Sequence, residues 1–255
     1  MTAATTAAVA TAVSGTAYAA PTPSSPTAPA GATTAAATPS PSPKSVGPGD
    51  RIDILQRSLG DGRFAALQCT MGFAVVTPSG QRLGVTAGHC GSPDQPVGRQ
   101  QWIIGEIVQS KSPAVKPDPK RPGQFMPVNP FGPDWATFRV TDNTVKLLGS
   151  QGRIAPRTVG TAKVGNKVCQ MGSVNGFRCG TVIKVQGDWI LTDIKTTPGD
   201  SGGPLVRTSD GAALGIITDA VTLSDSDTGQ VKGNATQYYS LPAVLAAAGG
   251  DRLSP

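Results

Sequence analysis

Histidine is almost missing from this sequence: of 255 residues, one is a histidine, His89. Charge is sparse as well, with 15% Asp, Glu, Lys and Arg, and aromatic residues reach only 5%. The cysteines, Cys69, Cys90, Cys169 and Cys179, form no C-x-x-C pair. With a single imidazole beside them, an ordinary zinc site lacks its ligands, and no metal is expected. No uninterrupted apolar run of about 20 residues occurs, which argues against a membrane-inserted helix. The 22 basic residues give a net charge of +6 but are spread thinly, without the block or stripe that tracks phosphates, so nucleic acid is not an expected partner. What the chain has instead is 32 glycines, 23 prolines and 38% hydrophobic residues. That mixture can bury a core, and it favours short strands joined by turns over long charged helices. An all-β domain is the expectation.

Residues 1 to 43 carry no charged side chain and consist almost wholly of Ala, Thr, Pro, Ser and Gly, so they cannot supply a core. The stretch 1–20 is weakly apolar and ends in Ala17-Tyr18-Ala19, the small-x-small form of a signal-peptidase site, although no basic residue precedes it. It reads as a partial signal peptide, with a plain low-complexity tail as the alternative. Residues 21–50 read as a Pro-rich extended linker, and 51–255 as the folded domain. Within that domain, Phe73 to Thr77 and Leu83 to Thr86 flank the turn Pro78-Ser79-Gly80. Further strands are expected over Trp102 to Val108, Trp135 to Val140, Thr181 to Val185, Trp189 to Ile194, Pro204 to Arg207 and Ala213 to Thr218, the last two joined by Ser209-Asp210-Gly211. One helix is expected, capped by Ser240, with Pro242 in its first turn and a stop at Gly249-Gly250. Four cysteines allow three pairings; Cys69 with Cys90 and Cys169 with Cys179 is preferred because each closes a modest local loop between strands, in an oxidising compartment.

Two motifs carry chemistry. Thr86-Ala87-Gly88-His89-Cys90 puts the lone histidine just after a strand and beside a cysteine. Gly199-Asp200-Ser201-Gly202-Gly203-Pro204 puts a serine among glycines, where the backbone can turn sharply and aim successive amides at one point. An oxyanion site needs that arrangement, with the amides of Gly199 and Ser201 as its donors. Together the two motifs resemble the chymotrypsin-like serine proteases, particularly their bacterial secreted branch, the streptogrisins and alpha-lytic protease. The resemblance extends to Val168-Cys169-Gln170-Met171-Gly172 and Phe177-Arg178-Cys179-Gly180-Thr181, like that branch's second disulfide loop, and to the segment from Tyr239 through the final helix.

This resemblance implies two packed antiparallel β-barrels with a short C-terminal helix, and a secreted, monomeric endopeptidase acting on proteins or peptides without a cofactor. The family order His, Asp, Ser implies Asp134 as the third member, ahead of the alternating Trp135-Ala136-Thr137-Phe138-Arg139-Val140. Asp134 is preferred to Asp94, too close to His89, to Asp118, in a Pro-rich loop, and to Asp142, beyond the strand. The nucleophile elbow of the α/β-hydrolases also fits Gly199-x-Ser201-x-Gly203, but there the histidine follows the serine, and none follows here. Departures from the family fall around the substrate pocket. The cysteine common before the serine motif is absent from Ile194-Lys195-Thr196-Thr197-Pro198, and Thr218-Asp219-Ala220 stands where relatives have Ser-Gly-Gly. Lys195, Thr218, Asp219 and Ala220 are thus the expected substrate-binding residues, with Thr218 also within reach of Asp134 and Asp219 either favouring a basic substrate residue or, the preferred alternative, standing as an exposed carboxylate that points elsewhere. Asp200, paired with a cation in the family, would draw on Arg178, Lys195 or a processed N-terminus, because Gln170 occupies the loop position of the usual arginine. The competing class is a catalytically inactive secreted binding protein on the same scaffold; a cell-wall or polysaccharide adhesin is suggested by the linker alone. Finally, Lys111 to Pro133 holds seven prolines and four basic residues, Lys111, Lys116, Lys120 and Arg121. It is expected as an ordered or semi-rigid loop outside the sheets, either a solvated surface insertion, the preferred reading, or a loop whose cations rim the cleft.

Overall fold

The computed structural model describes residues 43–60, 63–119, 125–224, 230–249 and 252–254. The expected signal peptide and most of the expected linker lie outside these residues. Packing begins before Arg51: Ser45–Val46 pairs in parallel with Lys146–Leu147, and Val46 is fully buried. The last six residues of the linker reading therefore belong to the fold, held also by the Gly49 amide on the Met71 carbonyl at 2.8 Å.

Two antiparallel β-structures dominate. The C-terminal one is a closed six-stranded barrel, in the order Lys167–Gly172, Gly176–Gln186, Trp189–Thr192, Val231–Ser240, Ala213–Ser224 and Pro204–Arg207. Alternation along these strands turns Val168, Ile190, Leu205, Leu214, Ile217 and Tyr238 into one core. The other is an eight-stranded sheet running Arg252–Leu253, Ala74–Val76, Arg82–Thr86, Trp135–Val140, Trp102–Lys111, Pro96–Arg99, Arg51–Gly60 and Arg63–Thr70. Of the two barrels that the resemblance implies, strand pairing among the described residues closes the C-terminal one and leaves the other as a sheet. In Arg51–Gly60 only Ile52 and Ile54 are buried, and every residue from 56 onwards is exposed. At this hairpin end Leu59 and Phe64 stand in solvent rather than packing back across the sheet, and Ala74–Val76 at the opposite side is paired with Arg252–Leu253.

A separate cluster containing Phe73, Val85, Trp135, Trp189, Ile216 and Leu241 draws on both β-structures and joins them. At roughly 1.5–3 kcal/mol for each large side chain removed from water, this shared cluster fixes the relation of the two walls that flank the cleft between them. The helix Leu241–Ala247 adds Leu241, Val244 and Leu245 to it. Its N-terminus is capped by the Ser240 hydroxyl, which accepts the Ala243 amide at 3.2 Å, and it gives way to Gly249 at φ +102°. Gly250 lies outside the described residues.

The Pro-rich segment differs from the expected strandless loop. Val115–Pro117 pairs antiparallel with Phe125–Pro127, a two-stranded ribbon detached from the main sheets. Proline is tolerated there because such a ribbon has no further neighbour to receive its amides. Lys120 and Arg121 lie outside the described residues.

Candidate active site

The strand Arg82–Thr86 runs into a single 3₁₀ turn, Gly88–Cys90, which presents His89. The turn sits hard against the neighbouring strands. A Cβ on Gly88 would lie 1.8 Å from the Lys111 carbonyl oxygen and 2.8 Å from the Trp135 amide, so only glycine fits. Cys90 is bridged to Cys69 on the strand Arg63–Thr70, anchoring the turn from the other side. Asp134, immediately before Trp135–Val140, is 4% exposed and grips the turn at two points. Its Oδ1 accepts the His89 amide at 2.7 Å and its Oδ2 accepts Nδ1 of the imidazole at 2.8 Å. This fixes the tautomer that carries its proton on Nδ1, which makes Nε2 the acceptor nitrogen of the ring. Burial opposes charge on His89, but the charge and hydrogen bond of Asp134, with the Asp219 carboxylate adding to them, hold its pKa above the ordinary 6.5. The other aspartates considered are engaged or placed differently: Asp94 is exposed, and Asp142 accepts the amide and hydroxyl of Thr144. The sulfurs of Cys69 and Cys90 approach His89 closely, but the disulfide that joins them removes both as thiolate ligands.

The second loop is tied to the first. Gly202, at φ +89°, passes so near the histidine strand that a Cβ would meet Thr86 Oγ1 at 2.1 Å and the Thr70 carbonyl oxygen at 2.3 Å. The Thr70 amide donates to the Ser201 carbonyl at 2.8 Å, the Thr70 hydroxyl to the Gly199 carbonyl at 2.7 Å, and the Gly202 amide to the Ile217 carbonyl at 2.7 Å. The carbonyls of this turn are thus held inward. Among the described residues no acceptor engages the amides of Gly199 or Ser201.

Asp200, fully buried, is paired with no cation among the described residues. Its Oδ1 accepts the amides of Val174 at 2.9 Å and Asn175 at 3.0 Å; its Oδ2 accepts the Thr196 hydroxyl at 3.0 Å, the Thr197 amide at 3.2 Å and the Asn175 side-chain amide. Arg178, expected as a partner, is exposed and donates to the Asn175 carbonyl instead, and Lys195 is exposed. Several neutral donors on one carboxylate stabilise its charge without an ion pair. Gln170 also has another role: it is buried, accepts the Tyr238 hydroxyl on Oε1 and gives Nε2 to the Lys195 carbonyl at 3.4 Å. Burial raises the Tyr238 pKa strongly, so this phenol remains a neutral donor.

His89, Asp134, Gly199 and Ser201 open onto one cleft of 390 Å³. Its walls are the segments 196–199 and 217–220, so Thr218, Asp219 and Ala220 line it as expected. Lys195 does not: its side chain is in solvent, and it contributes only the carbonyl that Gln170 reaches. Thr218 also departs from expectation, since its hydroxyl donates to the Gln237 carbonyl at 3.1 Å rather than to Asp134. Asp219 accepts the Ala220 amide at 2.8 Å. Sequence reasoning missed Trp189 and Gln237, which line the cleft and pin the Pro-rich segment, Trp189 Nε1 donating to the Phe131 carbonyl at 2.6 Å and Gln237 Nε2 to the Pro130 carbonyl at 2.9 Å. That segment meets the cleft through Pro113, Val115, Pro127 and Pro130, whereas Lys111 and Lys116 are exposed and stand outside the lining.

Comparison with solved structures places this fold. The chain is 25% identical to Nocardiopsis protease, with 83% of this chain and 100% of that chain covered at a TM-score of 0.56. It is 26% identical to Cellulomonas bogoriensis chymotrypsin, covering 82% and 98% respectively, again at 0.56. Thermobifida fusca protease A, at 22% identity, 82% and 98% coverage and a TM-score of 0.56, shares the fold. The protein therefore has the fold of the bacterial chymotrypsin-like serine proteases. The sequence matches no family model. Among curated proteins it is 26% identical over 155 residues to the uncharacterized protein Rv1815 and over 153 residues to the uncharacterized protein MT1863, both of Mycobacterium tuberculosis. The match takes in 58% of this chain, which spans 65% of the length of each.

Proposed function

We propose that the protein is a secreted serine endopeptidase of the bacterial chymotrypsin-like class, with Ser201 as nucleophile, His89 as general base and Asp134 as the residue that orients it. The observation that carries this reading is the two-point grip of Asp134 on His89 at the mouth of a cleft shared with Ser201. In the proposed reaction, Ser201 Oγ attacks the scissile carbonyl as His89 Nε2 takes its proton, and the imidazolium then delivers that proton to the leaving amine. The nearby Asp134 carboxylate stabilises the imidazolium that forms between the two events. Charge developing on the carbonyl oxygen is met by the amides of Gly199 and Ser201, a kind of donor worth about 10²–10³ in kcat. Water then repeats the sequence on the acyl-enzyme. The proposal extends to the branch of streptogrisin and alpha-lytic protease, on the strength of the Cys169–Cys179 bridge between directly opposed residues of one hairpin.

The test is cleavage of an unfolded protein substrate by the purified chain and its Ser201→Ala variant, with fragments identified by mass spectrometry. Internal cuts that disappear in the variant are expected. A wild-type chain that binds such substrates without cutting them would establish the inactive binding protein instead.

A further inference from the structure

We infer that Asn175 is a positioning residue that holds the Ser201 loop in its working shape through Asp200, using neutral donors, so that the loop depends neither on a neighbouring cation nor on a freed N-terminal amine. This inference rests on Ser201 being the nucleophile.

The physical problem is the Asp200 carboxylate. It is fully buried and sits between Gly199 and Ser201, the two residues whose amides are the proposed oxyanion donors. Its side chain hangs from the Cα that joins the two peptide planes, so anchoring the carboxylate restrains the position of that Cα and the backbone on either side. A buried charge without partners would swing towards solvent and take the loop with it. Five donors prevent this, and two of them come from Asn175, its backbone amide on Oδ1 and its side-chain amide on Oδ2. Asn175 alone holds both carboxylate oxygens, so it fixes the orientation of the carboxylate plane as well as its charge. The same side-chain nitrogen also reaches the Thr197 hydroxyl at 2.7 Å, joining the segment before the serine motif to the opposite hairpin.

Asn175 is itself well held. It ends the turn 173–175 between the strands Lys167–Gly172 and Gly176–Gln186, a hairpin cross-linked by Cys169–Cys179. From outside, Arg178 Nε donates to the Asn175 carbonyl at 3.2 Å. The cation closest in sequence thus buttresses the turn rather than the carboxylate. A continuous path runs from disulfide to turn, to Asn175, to Asp200, to the oxyanion amides.

Asn175→Asp keeps the shape and replaces the donor by an acceptor, and Asn175→Ala removes the side chain; both are compared with wild type in the whole chain. The readouts are kcat and KM on a peptide ester, the affinity of a peptide boronate, whose tetrahedral adduct needs the oxyanion amides, and the affinity of a cleaved product peptide, which does not. A fall in kcat and in boronate affinity of roughly tenfold to a hundredfold, with KM and product affinity little changed, is expected in both variants. If neither variant folds, Thr196→Val deletes a single donor from the same carboxylate and is expected to show the same split at smaller amplitude. Acetylating the N-terminal amine of the wild-type chain is expected to leave kcat unchanged. Unchanged kcat and boronate affinity in Asn175→Asp, or activity that depends on a free N-terminal amine, overturns the inference while leaving the endopeptidase reading intact. A wild-type chain that binds no boronate overturns both.

Discussion

At the scale of single residues, the account turns on His89 and on what surrounds it. The imidazole must be neutral to act as base, so kcat/KM is expected to rise with pH through the His89 pKa, which Asp134 and Asp219 hold above 6.5. Stability runs the other way. A histidine whose folded pKa is raised contributes stability that is fully present below its unfolded value and is lost as pH rises through the folded one, so the melting temperature should fall over the window in which activity appears. Asp134→Asn is expected to lower kcat by about 10⁴ with a smaller effect on KM, and to shift the acid limb of the pH profile downward, because the tautomer and the stabilising charge are lost together. A profile flat from acid to alkaline pH would contradict a histidine base. His89 and Asp134 were legible because each stands in a short motif whose neighbours are local: a strand before the one and a strand after the other. The partners of Asp200 were not. Asn175 is 25 residues away in sequence and meets Asp200 only because the barrel closes, and a search for charge finds arginines and lysines before it finds an amide. Thr218 was misread for a related reason. The strand pairing that joins Ala213–Ser224 to Val231–Ser240 brings the Gln237 carbonyl within its reach, and this pairing is invisible in the linear chain.

At the scale of elements, the histidine turn is held from two sides, and each hold is testable. Gly88→Ala forces a methyl group into the Lys111 carbonyl and is expected to cost roughly 3 kcal/mol, read as a lowered midpoint in urea, with activity reduced even where the chain remains folded. Stability within experimental error of wild type would show that the turn can move aside. Replacing Cys69 and Cys90 together by serine is expected to remove about 3 kcal/mol, the closure entropy of a loop of this size, and to loosen the turn that carries His89. The short apolar strands bounded by turn residues were legible, including Arg82–Thr86, Trp135–Val140 and Pro204–Arg207, as was the capped helix Leu241–Ala247. The long hairpin Arg51–Gly60 with Arg63–Thr70 was not, since its buried residues are confined to one end, at Ile52, Ile54, Cys69 and Thr70, while residues 56–60 and Phe64 are exposed. The ribbon Val115–Pro117 with Phe125–Pro127 escaped because proline argues against strand inside a sheet, while a detached pair of strands imposes no such constraint.

At the scale of the whole molecule, one closed barrel and one open sheet meet along a shared apolar cluster, and the cleft lies where they meet. The described residues are packed from their start, with Pro43 buried and the Lys44 carbonyl accepting the Lys146 amide at 2.9 Å, and the sequence before Pro43 consists almost wholly of Ala, Thr, Pro, Ser and Gly. A chain beginning at Pro43 is therefore expected to keep the melting temperature and kcat/KM of the longer one; loss of folding on truncation would show that the leading segment contributes to the core. The all-β class was legible from composition and turn spacing. Closure of only one barrel was not, because it depends on which edge strands find partners. The central claim is that Ser201 is a nucleophile activated by His89, and it is tested most directly by covalent labelling. The chain is treated with a serine-directed organophosphonate fluoride across a range of pH, and the adduct is located by peptide mapping. The account predicts one adduct per chain, on Ser201, forming faster as pH rises through the His89 pKa and lost in His89→Ala; an unlabelled Ser201, or labelling at a rate indifferent to His89, would contradict it.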